Sequence, residues 1–143
     1  MAANLTKILF TLFSGMIAGA DIKTGEVPRL AFIAAFPVFL LLKIMSNEDV
    51  NIDETIKGFA AGLFIFLFAY IMSGKKLGLA DVWYSALAGM LLGPLNWYTA
   101  IAIACVGGII LAVLLKKPAI PFIPCMAAGS VFIFLTGGWQ WAY

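Results

Sequence analysis

Apolar residues fall into six long stretches, at 5–22, 30–45, 55–73, 77–92, 95–115 and 119–136, divided by short polar segments. Most approach the roughly 20 residues that a helix needs to cross a bilayer's hydrocarbon core. The separators are helix breakers. Val27-Pro28, Gly93-Pro94 and Lys116-Lys117-Pro118 each bring a proline, which lacks an N–H and restricts the residue before it. The segment SNEDVNIDE at 46–54 is acidic and solvated. Pro37 lies inside the second stretch, and Pro121 and Pro124 interrupt the sixth, where they either bend the helix or shape a groove. Gly58-x-x-x-Gly62 in the third permits close approach of a neighbouring helix. The pattern predicts an all-α integral membrane protein, a bundle of about six transmembrane helices in one domain over 1–143.

Composition agrees, with 64% hydrophobic and 11% charged residues, against roughly 25% charged in soluble domains. The net charge of +2 and the lack of any basic block exclude a nucleic-acid footprint. Placement of the charges is more informative. Lys23, Arg29, Lys75, Lys76, Lys116 and Lys117 lie in the first, third and fifth loops, whereas Lys7, Lys43 and Lys57 lie towards the other side. Positively charged loops stay in the cytoplasm, so both termini are expected outside an inner (plasma) membrane. Residues 5–22 also resemble a signal peptide ending in Ala18-x-Ala20, but that reading exports six of the nine positive charges and is set aside. Trp139, Trp141 and Tyr143 read as an interfacial aromatic belt.

Chemistry is restricted to few residues. There is no histidine, which removes the usual base of Ser/His and Cys/His catalysis. Cys105 and Cys125 stand in apolar runs as small hydrophobes, without the spacing of a zinc site, and no metal or cofactor is expected. Carboxylates remain. A charged residue within a membrane helix is unfavourable by roughly 2.5 to 3.5 kcal/mol at its centre, so such residues face a bundle interior and mark function. Asp21 ends the first stretch and Asp81 starts the fourth, on the same membrane side. Ser14, Ala18 and Asp21 share one helical face, and Gly78, Asp81 and Ser85 share another, so small residues around each acid would let the first and fourth helices pack together. Two adjacent carboxylates share a proton, the arrangement of aspartic proteases. The same pair would serve ion binding in a small transporter, or helix register in an inactive subunit.

The motifs around these acids carry a family resemblance. Asp21-Ile22-Lys23-Thr24-Gly25-Glu26-Val27-Pro28 resembles the D-x-x-T-x-x-[IV]-P segment of the type IV prepilin and preflagellin peptidases; Gly78-Leu79-Ala80-Asp81 stands for their G-x-G-D, and Pro121-Phe122-Ile123-Pro124 for their P-F-G-P. Ala80 and Ile123 replace glycines of those motifs, and Trp83 replaces a frequent lysine. The resemblance implies metal-free cleavage of the short basic leader of a prepilin-like protein at the cytoplasmic face, with Asp21 and Asp81 catalytic. Within these motifs Thr24, Pro28, Gly78 and Ala80 take supporting places, and Pro121, Phe122 and Pro124 places near substrate; by position, Ser85 makes space around Asp81, Lys75 and Lys76 border the substrate channel and Glu26 meets a basic leader. Larger relatives add a methyltransferase insert with a four-cysteine zinc site, for which this chain has neither length nor cysteines. The short Flp/Tad-type peptidases are the nearest likeness, without N-methylation.

Overall fold

Each apolar stretch forms one helix: α1 (Ala2–Thr24), α2 (Arg29–Met45), α3 (Ile52–Met72), α4 (Leu79–Leu92), α5 (Pro94–Leu115) and α6 (Ile123–Leu135). The computed structural model describes residues 2–46, 51–117 and 120–137. Glu48, Asp49, Pro118 and the aromatic belt of Trp139, Trp141 and Tyr143 lie outside the described residues.

The breakers act where the sequence puts them. α1 closes at Gly25, whose φ of 66° few other residues adopt and whose N–H bonds the Asp21 carbonyl at 2.9 Å. Pro28 then sits extended, at φ −64° and ψ 125°, as the residue before α2. Gly93, at φ 78°, turns the chain between α4 and α5, and Pro94 opens α5 where its missing N–H has no intrahelical role. The sixth helix differs from expectation. It begins at Ile123, with Pro124 in its first turn and Pro121 ahead of it, so these prolines start the helix and do not bend it.

Among the described residues, three helices are long and apolar enough to cross a membrane, Asn4–Thr24, Ile52–Met72 and Pro94–Leu115, and the chain is a membrane protein. The other three are shorter, at 17 residues for α2, 14 for α4 and 13 for α6. A rise of 1.5 Å per residue makes α4 about 21 Å long, against a hydrocarbon core of about 30 Å. Among the described residues the fold is thus all-helical, with six helices of which three have full spanning length.

α4 is the central helix. Apart from half-buried Trp83, every residue from Asp81 to Leu91 is buried, a helix that is apolar nearly all round and surrounded by others. Its closest neighbour is α3. A Cβ added at Gly58 would lie 2.0 Å from the Gly89 carbonyl oxygen, and one at Gly62 would lie 2.3 Å from that of Ser85. The Gly58-x-x-x-Gly62 motif thus serves the close approach expected of it, with α4 as the partner. α2, α5 and α6 also pack on α4, whereas α1 packs on α6 and α2. The expected backbone packing of α1 on α4 does not occur. Side chains span the gap instead: Phe10 stacks on Tyr84 with ring centroids 6.4 Å apart, and Ser14 and Tyr84 share a hydrogen bond. The close backbone approach goes to α3, where Gly58 and Gly62 lie against the Gly89 and Ser85 carbonyls.

At the far end of α4, Lys43 reaches from the last turn of α2 and donates to the carbonyls of Met90 at 2.7 Å and Leu91 at 3.2 Å. These carbonyls end a helix and have no partner within it, and a cation there meets the negative end of the helix dipole. Glu54 of α3 is near enough to act on Lys43 electrostatically. Lys43→Met keeps the stem but strands the two carbonyls. It is expected to lower stability by about 1–3 kcal/mol, the penalty of unsatisfied buried acceptors, read as a lower thermal midpoint in detergent.

Candidate active site

Four chain segments converge on one cavity of about 400 Å³: the end of α1 and the loop after it, the start of α2, the start of α4 and the first residue of α6. Asp21 and Asp81 both line it, far apart in sequence and brought together by the fold. Each segment has a local reason for its position.

Asp81 is the third residue of α4, after Gly78, which caps the helix in an extended conformation at φ −69° and ψ 140°. From there its Oδ2 accepts the Gly78 N–H at 3.0 Å, while its own N–H donates to the Gly78 carbonyl at 3.1 Å. A carboxylate in the first turn satisfies an otherwise unpaired donor and faces the positive end of the helix dipole. Gly78 has no need of a positive φ; what it supplies is room, because a Cβ there would come within 3.1 Å of Asp81 Oδ2. Ala80 lies within α4 at a helical position, so alanine fits where the related motif has glycine.

Asp21 stands one turn before the end of α1, with its carboxyl set against the backbone N–H of Ile123. That N–H belongs to the first residue of α6 and has no partner in its own helix. Asp21 Oδ2 is buried and makes no hydrogen bond among the described residues. The two carboxylates are close enough to interact electrostatically, and each sits by a helix N-terminus. Asp21 and Asp81 thus use the orphan donors of α6 and α4 respectively.

The loop between α1 and α2 forms one wall with Gly25, Glu26 and Val27, and α2 adds Arg29 and Phe32. Thr24 fixes this loop without lining the cavity. Its hydroxyl lies 2.8 Å from the Ala20 carbonyl and 2.9 Å from that of Glu26, and it accepts the Glu26 N–H at 3.3 Å. Pro28 likewise acts on the chain path alone. Leu79, Ala80, Trp83 and Ile123 complete the lining.

Several residues expected near the site lie elsewhere. Ser85 is fully buried, where it accepts the Trp97 Nε1–H at 3.0 Å and its backbone meets Gly62. One turn beyond Asp81, it serves the α3–α5 side and not the carboxylate. Lys75 and Lys76 fall in the turn between α3 and α4, with Lys75 at φ 66°, and do not line the cavity. Phe122 stacks on Phe66 with centroids 6.2 Å apart, and Pro124 borders a separate groove between α5 and α6 with Cys125. Cys125 is buried, but Cys105 faces outwards. Conversely, Arg29, Phe32, Trp83 and Ile123 line the cavity without having been singled out for it. Ile123 is the clearest case, because its place inside the P-F-x-P motif was visible while its contact with Asp21 depends on how α6 meets α1.

A helical membrane protein with a pair of acids in one cavity is the class that fold and site define. Residues 8–113 match the type IV leader peptidase family, and the chain belongs to that family. At family level its function is that of a prepilin-type leader peptidase, a protease. No curated protein and no solved structure matches the chain. The matched stretch contains Asp21 and Asp81, whereas the 121–124 motif lies beyond it.

Proposed function

We propose that the chain is a membrane-embedded aspartic endopeptidase that removes the short basic leader of type IV prepilin-like precursors at the cytoplasmic face of the plasma membrane. Asp21 and Asp81 form its catalytic pair. The observation that carries this reading is the shared cavity, in which both carboxylates meet and no other acid except Glu26 takes part among the described residues.

The chemistry needs one proton on the pair. The ionised carboxylate takes a proton from water as the oxygen attacks the scissile carbonyl carbon, and the protonated partner gives its proton to the carbonyl oxygen. The tetrahedral intermediate then collapses: the C–N bond breaks, the amine leaves with a proton from one carboxyl, a hydroxyl of the intermediate returns its proton to the other, and a carboxylic acid remains on the leader. Free Asp21 Oδ2 offers a place for water or carbonyl, and the Gly78 N–H fixes the Asp81 carboxylate on one side. Glu26 adds a negative wall suited to a basic leader, while the apolar side of the cavity, with Phe32, Leu79 and Ile123, suits residues at the start of a hydrophobic segment.

The purified chain, reconstituted in liposomes, is expected to cut a synthetic prepilin-like precursor once, between its basic leader and hydrophobic segment, as mapped by mass spectrometry. An intact precursor after prolonged incubation refutes the proposal. An ion flux through the same liposomes without cleavage would instead make the acid pair an ion-coupling site.

A further inference from the structure

Beyond the cavity, the acids of α1 and α4 are linked by a buried polar contact. Ser14 Oγ and Tyr84 Oη lie 2.7 Å apart, both residues fully buried. Ser14 precedes Asp21 by two helical turns on α1, and Tyr84 follows Asp81 by one turn on α4. Side chains at these spacings lie on the same helical face, so the contact and the carboxylates face the same gap. Backbone contact cannot set the width of that gap, because α1 and α4 do not approach closely. The gap is instead fixed by side-chain length: the phenol extends across it to the serine, and Phe10 stacks on the phenol ring from the α1 side. Ser130 of α6 lies beside the same hydroxyl, so the contact stands where α1, α4 and α6 meet.

We infer that Tyr84 and Ser14 are positioning residues, a hydrogen-bonded spacer that sets the separation of Asp21 and Asp81; the catalytic consequence rests on the function proposed above. In a membrane interior this choice has a physical basis. A tyrosine hydroxyl there must find a partner, since no water competes and an unpaired polar group is strongly disfavoured. The bond therefore has one favourable geometry, whereas apolar contacts between α1 and α4 would tolerate sliding. A spacer one turn from Asp81 transmits little of the slack that a distant contact would allow. Acid–base transfer at a pair of carboxylates depends on their spacing, and a displacement of 1 Å is enough to lower turnover.

The test uses Tyr84→Phe, Ser14→Ala and the two combined, each removing the bond with little change in volume. Each single variant is expected to lower kcat on the synthetic precursor by about 10- to 100-fold with KM unmoved. The combined variant should be no worse than the more affected single one, because the two residues make one bond. A second measurement reads geometry without activity. In a chain carrying Asp21→Cys, Asp81→Cys, Cys105→Ala and Cys125→Ala, adding Tyr84→Phe should slow cross-linking of the two introduced thiols by a short bifunctional methanethiosulfonate several-fold. Unchanged kcat together with an unchanged cross-linking rate overturns the inference. So does a fall in kcat matched by a lower thermal midpoint with cross-linking unmoved, which would make Tyr84 merely structural. Slower cross-linking with unmoved kcat upholds the spacer and refutes the catalytic role of the acid pair, so the two readings fail separately.

Discussion

Asp21→Asn and Asp81→Asn are each expected to stop leader cleavage, with a loss of about 10²- to 10⁴-fold in turnover, the contribution of a positioned general acid or base. Asparagine keeps the shape of the side chain and, at position 81, an oxygen that still accepts the Gly78 N–H. What it removes is the exchangeable proton. Neither substitution should harm folding, because an amide placed in the membrane interior carries no charge to desolvate. Loss of cleavage with normal membrane insertion therefore isolates chemistry from stability. The measurement is the processed fraction of a co-expressed precursor on an immunoblot, alongside the amount of each variant in the membrane. Cleavage by either variant at the parent's rate refutes the pair.

A large effect on stability is expected at Gly62, where Gly62→Val should destabilise the bundle by about 3 kcal/mol or more, at or beyond the upper end of ordinary overpacking. The obstacle is rigid. A Cβ there meets the Ser85 carbonyl oxygen at 2.3 Å and its carbon at 2.8 Å, which are backbone atoms of α4 and cannot rotate away. α3 and α4 would have to separate, and α4 carries Asp81. Activity should therefore fall further than the folded fraction does. Gly15→Ala provides the contrast, since nothing lies within 4 Å of a Cβ at that position, and alanine favours a helix. Thermal unfolding in detergent should show a clear drop for Gly62→Val and none for Gly15→Ala.

The sequence shows where helices begin and end because those signals are local. Val27-Pro28 and Gly93-Pro94 act through backbone angles or missing donors and need no partner to be read. Pairing is different. Gly58-x-x-x-Gly62 announces a close approach, but small residues occur on α1 and α4 alike, and spacing alone does not say which helix α3 meets. The same ambiguity misassigned Ser85, which shares a face with Asp81 by helical arithmetic yet bonds to Trp97 of α5. Asp21 and Asp81 were legible because a carboxylate in an apolar run demands an explanation wherever it lies. Ile123 was not, since an isoleucine in an apolar stretch is unremarkable until its N–H is seen beside a carboxylate. Lys43 was read through its charge as a topology marker, and its bonds to Met90 and Leu91 depend on a partner helix ending at the same depth.

The shortness of α4 has a further consequence. Lys43 holds one end of it and Asp81 stands at the other, and the helix is about 9 Å shorter than a typical hydrocarbon core. With the orientation proposed above, a shortfall at the Asp81 end would leave a notch in the cytoplasmic leaflet. A peptide bond would then need only to be lowered into that recess from the aqueous side, with the water for hydrolysis entering by the same route.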